Sequence, residues 1–451
     1  MRKLADGVFF VRGAKHGAIY DTNAGNVYSI NGADCETLVE RLDSQRVHKN
    51  DGVQELIRIP SLQFIWFEIV SDDCNERCIH CYADSMPPTY RKKMGLPVIQ
   101  ENTQPSRRKL TAGEWRKLIA EGRQLGCPSC QFIGGEPFVW RGENGEDVLD
   151  LAEYAHSQGY ESIEIFTNAT LLTEAKISRI KELGVSVAVS LYSIQSEIHD
   201  AVTRTPGSMK KTLGALDLLR KHGIRTRVET ILMRMNESTL EETENWIRKN
   251  GFRHRKPDPI RPKGRGDNPL IFPSKENTVK LRYLLKPNFR TDIDTLSRYL
   301  SGHSCMAGKI TVTDTGDVLP CIFSRNMVTG NVIDIGSLEG VLLGELLQRI
   351  WNSTKDSVLV CQDCEYRHVC FDCRPLSQGV AGECSDYFTA PYPRCTYNPY
   401  TGEWAGGTWK LDETGKPYYD GDLKPTIEQV LADRKVNQQP TLEEEGECDG
   451  E

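Results

Sequence analysis

The chain opens on short alternations of apolar and polar residues. Gly7 to Arg12 (GVFFVR), Ala18 to Asp21 (AIYD) and Asn26 to Ile30 (NVYSI) each read as a strand, and Thr22 to Gly25 between the last two has hairpin chemistry. From Ala33 to Leu42 the period changes, with Ala33, Leu38, Val39 and Leu42 at helical spacing. Beyond residue 62 the pattern becomes one of strand and helix in turn. Apolar runs at Phe64 to Val70, Cys130 to Gly134, Ile163 to Thr167, Val185 to Leu191 and Arg225 to Met233, with a weaker sixth at His254 to Ile260, read as strands. Helical segments fall between them at Ala112 to Leu125, Asp147 to Gln158, Thr173 to Leu183, Ser208 to His222 and Ser238 to Asn250. This order predicts an α/β architecture, a parallel sheet of the βα-barrel type with its chemistry at the carboxyl ends of the strands.

The same patterning divides the chain into a small amino-terminal unit at residues 1–62, the barrel at 63–270, a linker at 271–300, a cysteine-rich region at 301–410 and a tail at 411–451. In the fourth of these, KITVTDTGDVLPC reads as a hairpin turning at Asp314, Thr315 and Gly316. The tail is polar, with few apolar residues after Val436, and is expected to be disordered; Cys448 is then idle. Two insertions are basic: Met86 to Arg108, rich in Pro, Lys and Arg, reads as a lid or a partner loop, and together with His254 to Arg265 it reads as solvated charge, or as an attraction for an acidic leader peptide.

Composition excludes several functions. No run approaches eighteen apolar residues and MRKLADGVFF lacks the apolar core of a signal peptide, so the expectation is a cytoplasmic protein without membrane attachment. A net charge of −7 argues against non-specific nucleic-acid binding. Fifteen cysteines bunched at close spacings read as metal ligation in a reducing compartment rather than as disulfides.

Cys74, Cys78 and Cys81 stand at CxxxCxxC spacing on the loop after the first barrel strand. Three thiolates fill three corners of a tetrahedral site or an iron–sulfur cube. A structural zinc site is closed by four ligands, so a three-thiolate set leaves one position for something other than protein. A zinc knuckle that borrows His80 is the alternative. Cys305, Cys321, Cys361, Cys364, Cys370, Cys373, Cys384 and Cys395 form a second field that two four-iron clusters or two zinc sites would satisfy. Cys35, Cys127 and Cys130 read as small buried residues.

With His80 as the aromatic-like residue before the last cysteine of the loop, residues 63 to about 400 resemble radical S-adenosylmethionine (radical SAM) enzymes. The resemblance implies an open six-stranded (β/α)6 partial barrel and a [4Fe-4S] cluster on Cys74, Cys78 and Cys81, with S-adenosylmethionine chelating the fourth iron. One electron then releases methionine and a 5′-deoxyadenosyl radical that abstracts hydrogen from substrate. Gly134, Gly135, Glu136 and Pro137 match the family's GGEP motif, which implies that backbone and the Glu136 carboxylate hold the S-adenosylmethionine amino group. Thr167 and Asn168 end strand three as small polar groups suited to a cofactor pocket. Ser190, Leu191, Tyr192 and Ser193, followed by His199, Asp200 and Arg204, resemble the family's SLD, HD and R pattern, which implies that Ser190 meets the ribose and Arg204 the carboxylate. Tyr192 replaces the usual aspartate, so the aspartate's role lapses. Tyr192 and Cys130 are the candidates to quench or relay a radical.

The order of cysteines from Cys305 to Cys395 resembles the SPASM domain of radical SAM peptide maturases, which holds two auxiliary [4Fe-4S] clusters. By position, Cys305, Cys321 and Cys373 would serve the first, and Cys361, Cys364 and Cys370 the second, closed by Cys395. Cys384 either completes the first or leaves it with an open iron. The amino-terminal unit resembles part of the winged-helix leader-recognition domains, a plain cap being its alternative; it is short, so a separate small leader-recognition protein would complete it. A radical SAM/SPASM maturase of a ribosomally synthesised precursor peptide with a leader is therefore expected, acting by crosslink, thioether, epimerisation or backbone excision, with flavodoxin or ferredoxin as reductant. The rivals are an anaerobic sulfatase-maturase-like oxidase and a non-catalytic zinc-stabilised peptide-binding scaffold.

Overall fold

The computed structural model describes residues 1–47, 52–96, 108–278, 289–381, 387–393, 395–404, 409–411, 413 and 417–419. The amino-terminal alternation folds as an antiparallel sheet of four strands, β1 (Arg2–Ala5), β2 (Val8–Arg12), β3 (Gly17–Asp21) and β4 (Asn26–Ile30). The extra strand, β1, escapes the pattern because Arg2 and Lys3 interrupt any alternation. Helix α1 (Gly32–Ser44) is capped by Asn31, whose side chain accepts from the Asp34 amide at 3.0 Å, and it buries Cys35, Val39 and Leu42 against Phe10. The other face of the sheet, Phe9, Val11, Ala18 and Tyr20, packs on Tyr366, Val369 and Tyr397. The Tyr20 hydroxyl donates to the Glu365 carbonyl at 2.5 Å and the Ala14 amide to the Asp363 carbonyl at 2.7 Å. The unit therefore sits on the loop that carries Cys361, Cys364 and Cys370.

The barrel follows as β5 (Phe64–Val70), α2 (Pro88–Lys93), α3 (Ala112–Gln124), β6 (Ser129–Gly134), α4 (Val148–Ser157), β7 (Ser162–Thr167), α5 (Glu174–Glu182) and β8 (Ser186–Ser190). It continues through α6 (Ser196–Thr203), α7 (Ser208–Lys221), β9 (Thr226–Glu229), β10 (Ile231–Leu232), α8 (Leu240–Lys249), β11 (Arg253–His254) and β12 (Asp258–Pro259). Strands pair in parallel in the order β11-β9-β8-β7-β6-β5. A parallel strand covered by helices buries both faces, which is why β5 and β6 carry near-continuous apolar runs. Phe67 and Phe132 are in register and stack with centroids 5.6 Å apart, and Trp115 of α3 closes over Phe67. The expected fifth strand breaks after Glu229: Ile231–Leu232 leaves the sheet and pairs with Asp258–Pro259, so the sixth is also split.

The predicted hairpin forms, as β13 (Lys309–Thr313) and β14 (Asp317–Leu319), and turns at Gly316 with φ 83°. It also does what the pattern does not reveal. β13 pairs in parallel with β5, Lys309 opposite Phe64 and Thr313 opposite Glu68, and β14 pairs with β15 (Gly330–Asn331), extending the barrel sheet past its first strand. This pairing carries Cys305 and Cys321 to the edge of the first barrel strand. The predicted linker contains a helix, Ile293–Ser301. Residues 97–107 of the first insertion, 279–288 of the linker, Cys384 and residues 420–451 of the tail, with Cys448, lie outside the described residues. Among the described residues no helix is long and apolar enough to cross a membrane.

Candidate active site

The carboxyl ends of β5 to β8 open on a cavity of about 1010 Å³, counted to its open mouth. Cys74, Cys78 and Cys81 form one part of the wall, Gly134, Gly135, Thr167, Asn168, Ser190 and Tyr192 the strand ends, and Ile322 and Phe323 a further part. The loop is held in place by its backbone. The Arg77 amide donates to Thr203 O at 3.1 Å, that of Ile79 to Val202 O at 2.9 Å and that of Cys74 to Met86 O at 3.2 Å. Side chains add to this: Asn168 Nδ2 donates to Asn75 Oδ1 at 2.8 Å, and Arg265 donates to the Cys78 carbonyl at 2.9 Å and to the Ser85 carbonyl at 2.6 Å.

All three thiols are free. Burial pushes the Cys74 and Cys78 thiols well up from their ordinary value, and the nearby Glu136 and Glu76 carboxylates push in the same direction. Without added positive charge the site disfavours thiolate, and a bound metal group reverses that. Glu76, inside the cysteine motif, is itself raised to about 8 by burial and by Glu136. Four polar atoms at the cavity are buried without a hydrogen-bond partner: Glu76 Oε1, His80 Nε2, Tyr82 OH and Arg261 Nε. Buried polar atoms are normally paired, so this cavity is built for a polar guest. The thiol set and these donors and acceptors fit a [4Fe-4S] cluster with S-adenosylmethionine.

The GGEP residues also fix the protein's own frame. A Cβ on Gly134 would lie 2.0 Å from Val70 O and one on Gly135 2.1 Å from Asp73 O, so only glycine lets the ends of β5 and β6 meet. Glu136 is fully buried and stands behind the cavity wall. Its carboxylate accepts from Thr167 Oγ1 at 2.7 Å, the Asn168 amide at 2.8 Å and the Phe138 amide at 3.1 Å. Pro137 is buried at the start of a short turn, also outside the cavity lining.

Tyr192 and His80 meet edge to face at 4.7 Å, and the Tyr192 amide donates to His199 Nδ1 at 3.3 Å. Burial lowers His80 and His199 to about 4, so both rings are neutral near pH 7. Asp200 caps α7, accepting from the amides of Gly207 and Met209. Arg204 ends α6 in the left-handed region at φ 52° with its side chain exposed, and it does not line the cavity. Cys130 is also elsewhere. It is 1% exposed in the sheet core, opposite Ile65 and Ile163, towards the amino ends of the strands, so a place at the reacting centre is corrected to one in the apolar core.

The second cysteine field folds as two groups. Cys305, Cys321 and Cys373 lie within electrostatic reach of one another, and Cys361 and Cys395 each lie within such reach of both Cys364 and Cys370. Burial raises Cys321 and Cys395 to about 12. Among the described residues no three His, Cys, Asp or Glu side chains are set to hold a single metal ion. The first group adjoins the cavity, because Ile322 and Phe323 follow Cys321 directly. Phe323 packs on Tyr82 at 5.1 Å and lies under the Arg261 guanidinium at 4.3 Å. Glu68 of β5 and Arg325 form a buried ion pair that joins the barrel to this loop. Ser71, at the start of the cysteine loop, donates to the Asp314 carboxylate at 2.7 Å.

Glu76, Tyr82, Arg261, Arg265 and Phe323 are the residues that the motifs do not announce. The insertion His254 to Arg265, read as solvated charge, turns Arg261 and Arg265 inward, where their side chains are 22% and 18% exposed.

Known proteins share both the sequence pattern and the fold. An AdoMet-dependent heme synthase from Methanosarcina barkeri is 23% identical over 356 residues, covering 72% of this chain and 94% of that one. The antilisterial bacteriocin subtilosin biosynthesis protein AlbA of Bacillus subtilis is 24% identical over 292 residues, covering 62% of this chain and 59% of AlbA. Among solved structures, that of native anSMEcpe with bound AdoMet superposes with a TM-score of 0.52 at 15% identity, covering 83% of this chain and 100% of that one, which shows a shared fold. Residues 69–247 match the model of the radical SAM superfamily, a span that holds both the cysteine loop and the GGEP turn, so this part of the chain is a radical SAM domain.

Proposed function

We propose that this enzyme is a maturase of a ribosomally synthesised precursor peptide, with two auxiliary [4Fe-4S] clusters in its cysteine-rich region. The observation that carries the reading is one cavity with two cysteine groups beside it, the loop Cys74 to Cys81 in one part of its wall and the residues after Cys321 in a further part. A cluster on Cys74, Cys78 and Cys81 with S-adenosylmethionine supplies, when bound, reductive cleavage to a 5′-deoxyadenosyl radical. The chain's own residues do the rest. Asn75, Asn168 and Arg265 fix the loop, Gly134 and Gly135 let its base close on the sheet, and Ser190, Thr167 and Asn168 offer polar contacts to a cofactor. Phe166, Tyr192, Ile260 and Phe323 supply apolar wall that excludes water from the reacting centre. Cys305, Cys321 and Cys373 would hold the first auxiliary cluster, with Cys384 as the remaining candidate ligand, and Cys361, Cys364, Cys370 and Cys395 the second; both would take or relay the electron left after hydrogen abstraction.

A peptide substrate is supported by the amino-terminal sheet. Its order β1-β2-β3-β4 leaves the outer edges of β1 and β4 without a strand partner among the described residues, and an extended leader adds to such an edge through main-chain hydrogen bonds. AlbA is named for bacteriocin biosynthesis, and native anSMEcpe has been solved with AdoMet and the Kp18Cys peptide, which supports the same substrate class here. The similarity to a heme synthase makes an iron porphyrin the competing substrate class. The test is anaerobic turnover with S-adenosylmethionine and dithionite, offering in turn a short peptide encoded beside the gene and an iron porphyrin. A mass change in the peptide that depends on its leader supports the proposal; a change in the porphyrin alone overturns it.

A further inference from the structure

Lys355 is buried, at 7% exposure, at the start of the short turn Lys355–Ser357. Its ammonium donates to Cys361 Sγ at 3.8 Å and lies 5.4 Å from the centre of the Tyr392 ring. The negative groups that act on it most are Cys361, Cys370, Asp372 and Cys395. The one carboxylate in that set is already committed: Asp372 accepts from Arg374 at 2.6 Å and faces His303 at 3.4 Å. What remains to balance the lysine is sulfur. The turn is also fixed to the cysteine loop, since Arg367 donates to Asp356 at 2.9 Å and to the Cys364 carbonyl at 2.7 Å. A buried cation without an opposite charge is costly, so a lysine held here is matched to anionic ligands.

Resting on the reading of this cysteine group as the second auxiliary cluster, we propose that Lys355 is a built-in counter-charge for the [4Fe-4S] cluster on Cys361, Cys364, Cys370 and Cys395, and makes that cluster easier to reduce. Four thiolates and a four-iron core carry net negative charge, and one-electron reduction adds another unit of it. A cation against one of the ligand sulfurs stabilises the reduced form more than the oxidised form. The electron is the one left on the substrate after hydrogen abstraction. Lys355 makes its cluster the better acceptor of that electron; the proton that the oxidised substrate gives up leaves separately, to solvent.

The experiment is an anaerobic redox titration followed by electron paramagnetic resonance, in a Cys74/Cys78/Cys81→Ala background so that only auxiliary clusters report. Lys355→Met, Lys355→Arg and the parent are compared, with iron and sulfide measured on each. The inference expects Lys355→Met to keep its iron while one of the two steps moves to lower potential by at least tenfold in the reduction equilibrium, about 59 mV for one electron. Lys355→Arg, which keeps the charge, should stay close to the parent. An unmoved step in an iron-replete Lys355→Met protein overturns the role of Lys355, as does an equal shift in Lys355→Arg. If Lys355→Met does not hold iron, Lys355→Gln is titrated in its place against the same two outcomes. A parent with only one auxiliary cluster, whose iron survives Cys361→Ala, refutes the cluster assignment itself.

Discussion

Arg325→Met offers the sharpest test of how the barrel is joined to the cysteine-rich region. Glu68 is wholly buried in β5 and its carboxylate accepts from Arg325, whose side chain is 17% exposed. Burial raises the Glu68 carboxyl and Arg325 works against that rise. Removing the guanidinium leaves a buried carboxylate with no compensating charge, which costs about 3–5 kcal/mol in comparable pairs. The protein limits this cost by taking up a proton. From glutamate's ordinary value of about 4.3 to pH 7 is about 2.7 units, so the penalty at pH 7 reaches about 3.7 kcal/mol at 1.36 kcal/mol per unit. At pH 5.5 the same arithmetic leaves about 1.6 kcal/mol. The sign follows from proton binding: the variant's folded state holds a proton that its unfolded state releases, so its stability relative to wild type recovers as pH falls. Urea unfolding at pH 5.5 and 7, followed by tryptophan fluorescence, reads both values. The double variant Glu68→Leu/Arg325→Met, with no charge left to bury, should recover most of the loss at pH 7. Equal destabilisation at the two pH values, or a double variant as unstable as the single, would refute the reasoning.

Other expectations concern the site itself. Gly134→Ala sets a Cβ 2.0 Å from Val70 O at φ 146°, so folding should fail or leave the cysteine loop open, seen as loss of about four irons with the auxiliary iron retained. Arg265→Lys cannot reach the Cys78 and Ser85 carbonyls with one fork; KM for S-adenosylmethionine should rise about tenfold while the iron content stays, and an unchanged KM would remove Arg265 from the loop's support. Cys130→Ser should lower stability by about 1–3 kcal/mol and leave deoxyadenosine formation intact, because the residue sits in the apolar core; loss of deoxyadenosine from stable protein would return it to the reacting centre.

Much of this was legible because local pattern and tertiary role agree. The apolar runs of β5 to β8 mark strands buried on both faces, and the spacing from Cys74 to Cys81 survives folding because its loop follows directly on β5. The pairing of β13 with β5 was not legible. Lys309 and Phe64 are far apart in sequence, and a hairpin reads the same whether its edge is free or docked. Glu76 and Arg265 were hidden for a related reason. A charged residue in a loop reads as solvated, and only the burial of Glu76 in the folded loop, or the Cys78 and Ser85 carbonyls around Arg265, show that it is not. Arg204 shows the converse: a matching residue type at a matching spacing sits on the surface, at the left-handed end of α6.

The proposal of three clusters on three cysteine groups, with radical chemistry starting at the first, can be tested in one comparison. Its most direct measurement is anaerobic iron and sulfide analysis of reconstituted wild type beside the Cys74/Cys78/Cys81→Ala variant, with deoxyadenosine assayed after reduction. Wild type should hold about twelve irons and the variant about eight, with deoxyadenosine from wild type alone. Equal iron in the two proteins, or deoxyadenosine from the variant, would contradict the proposal.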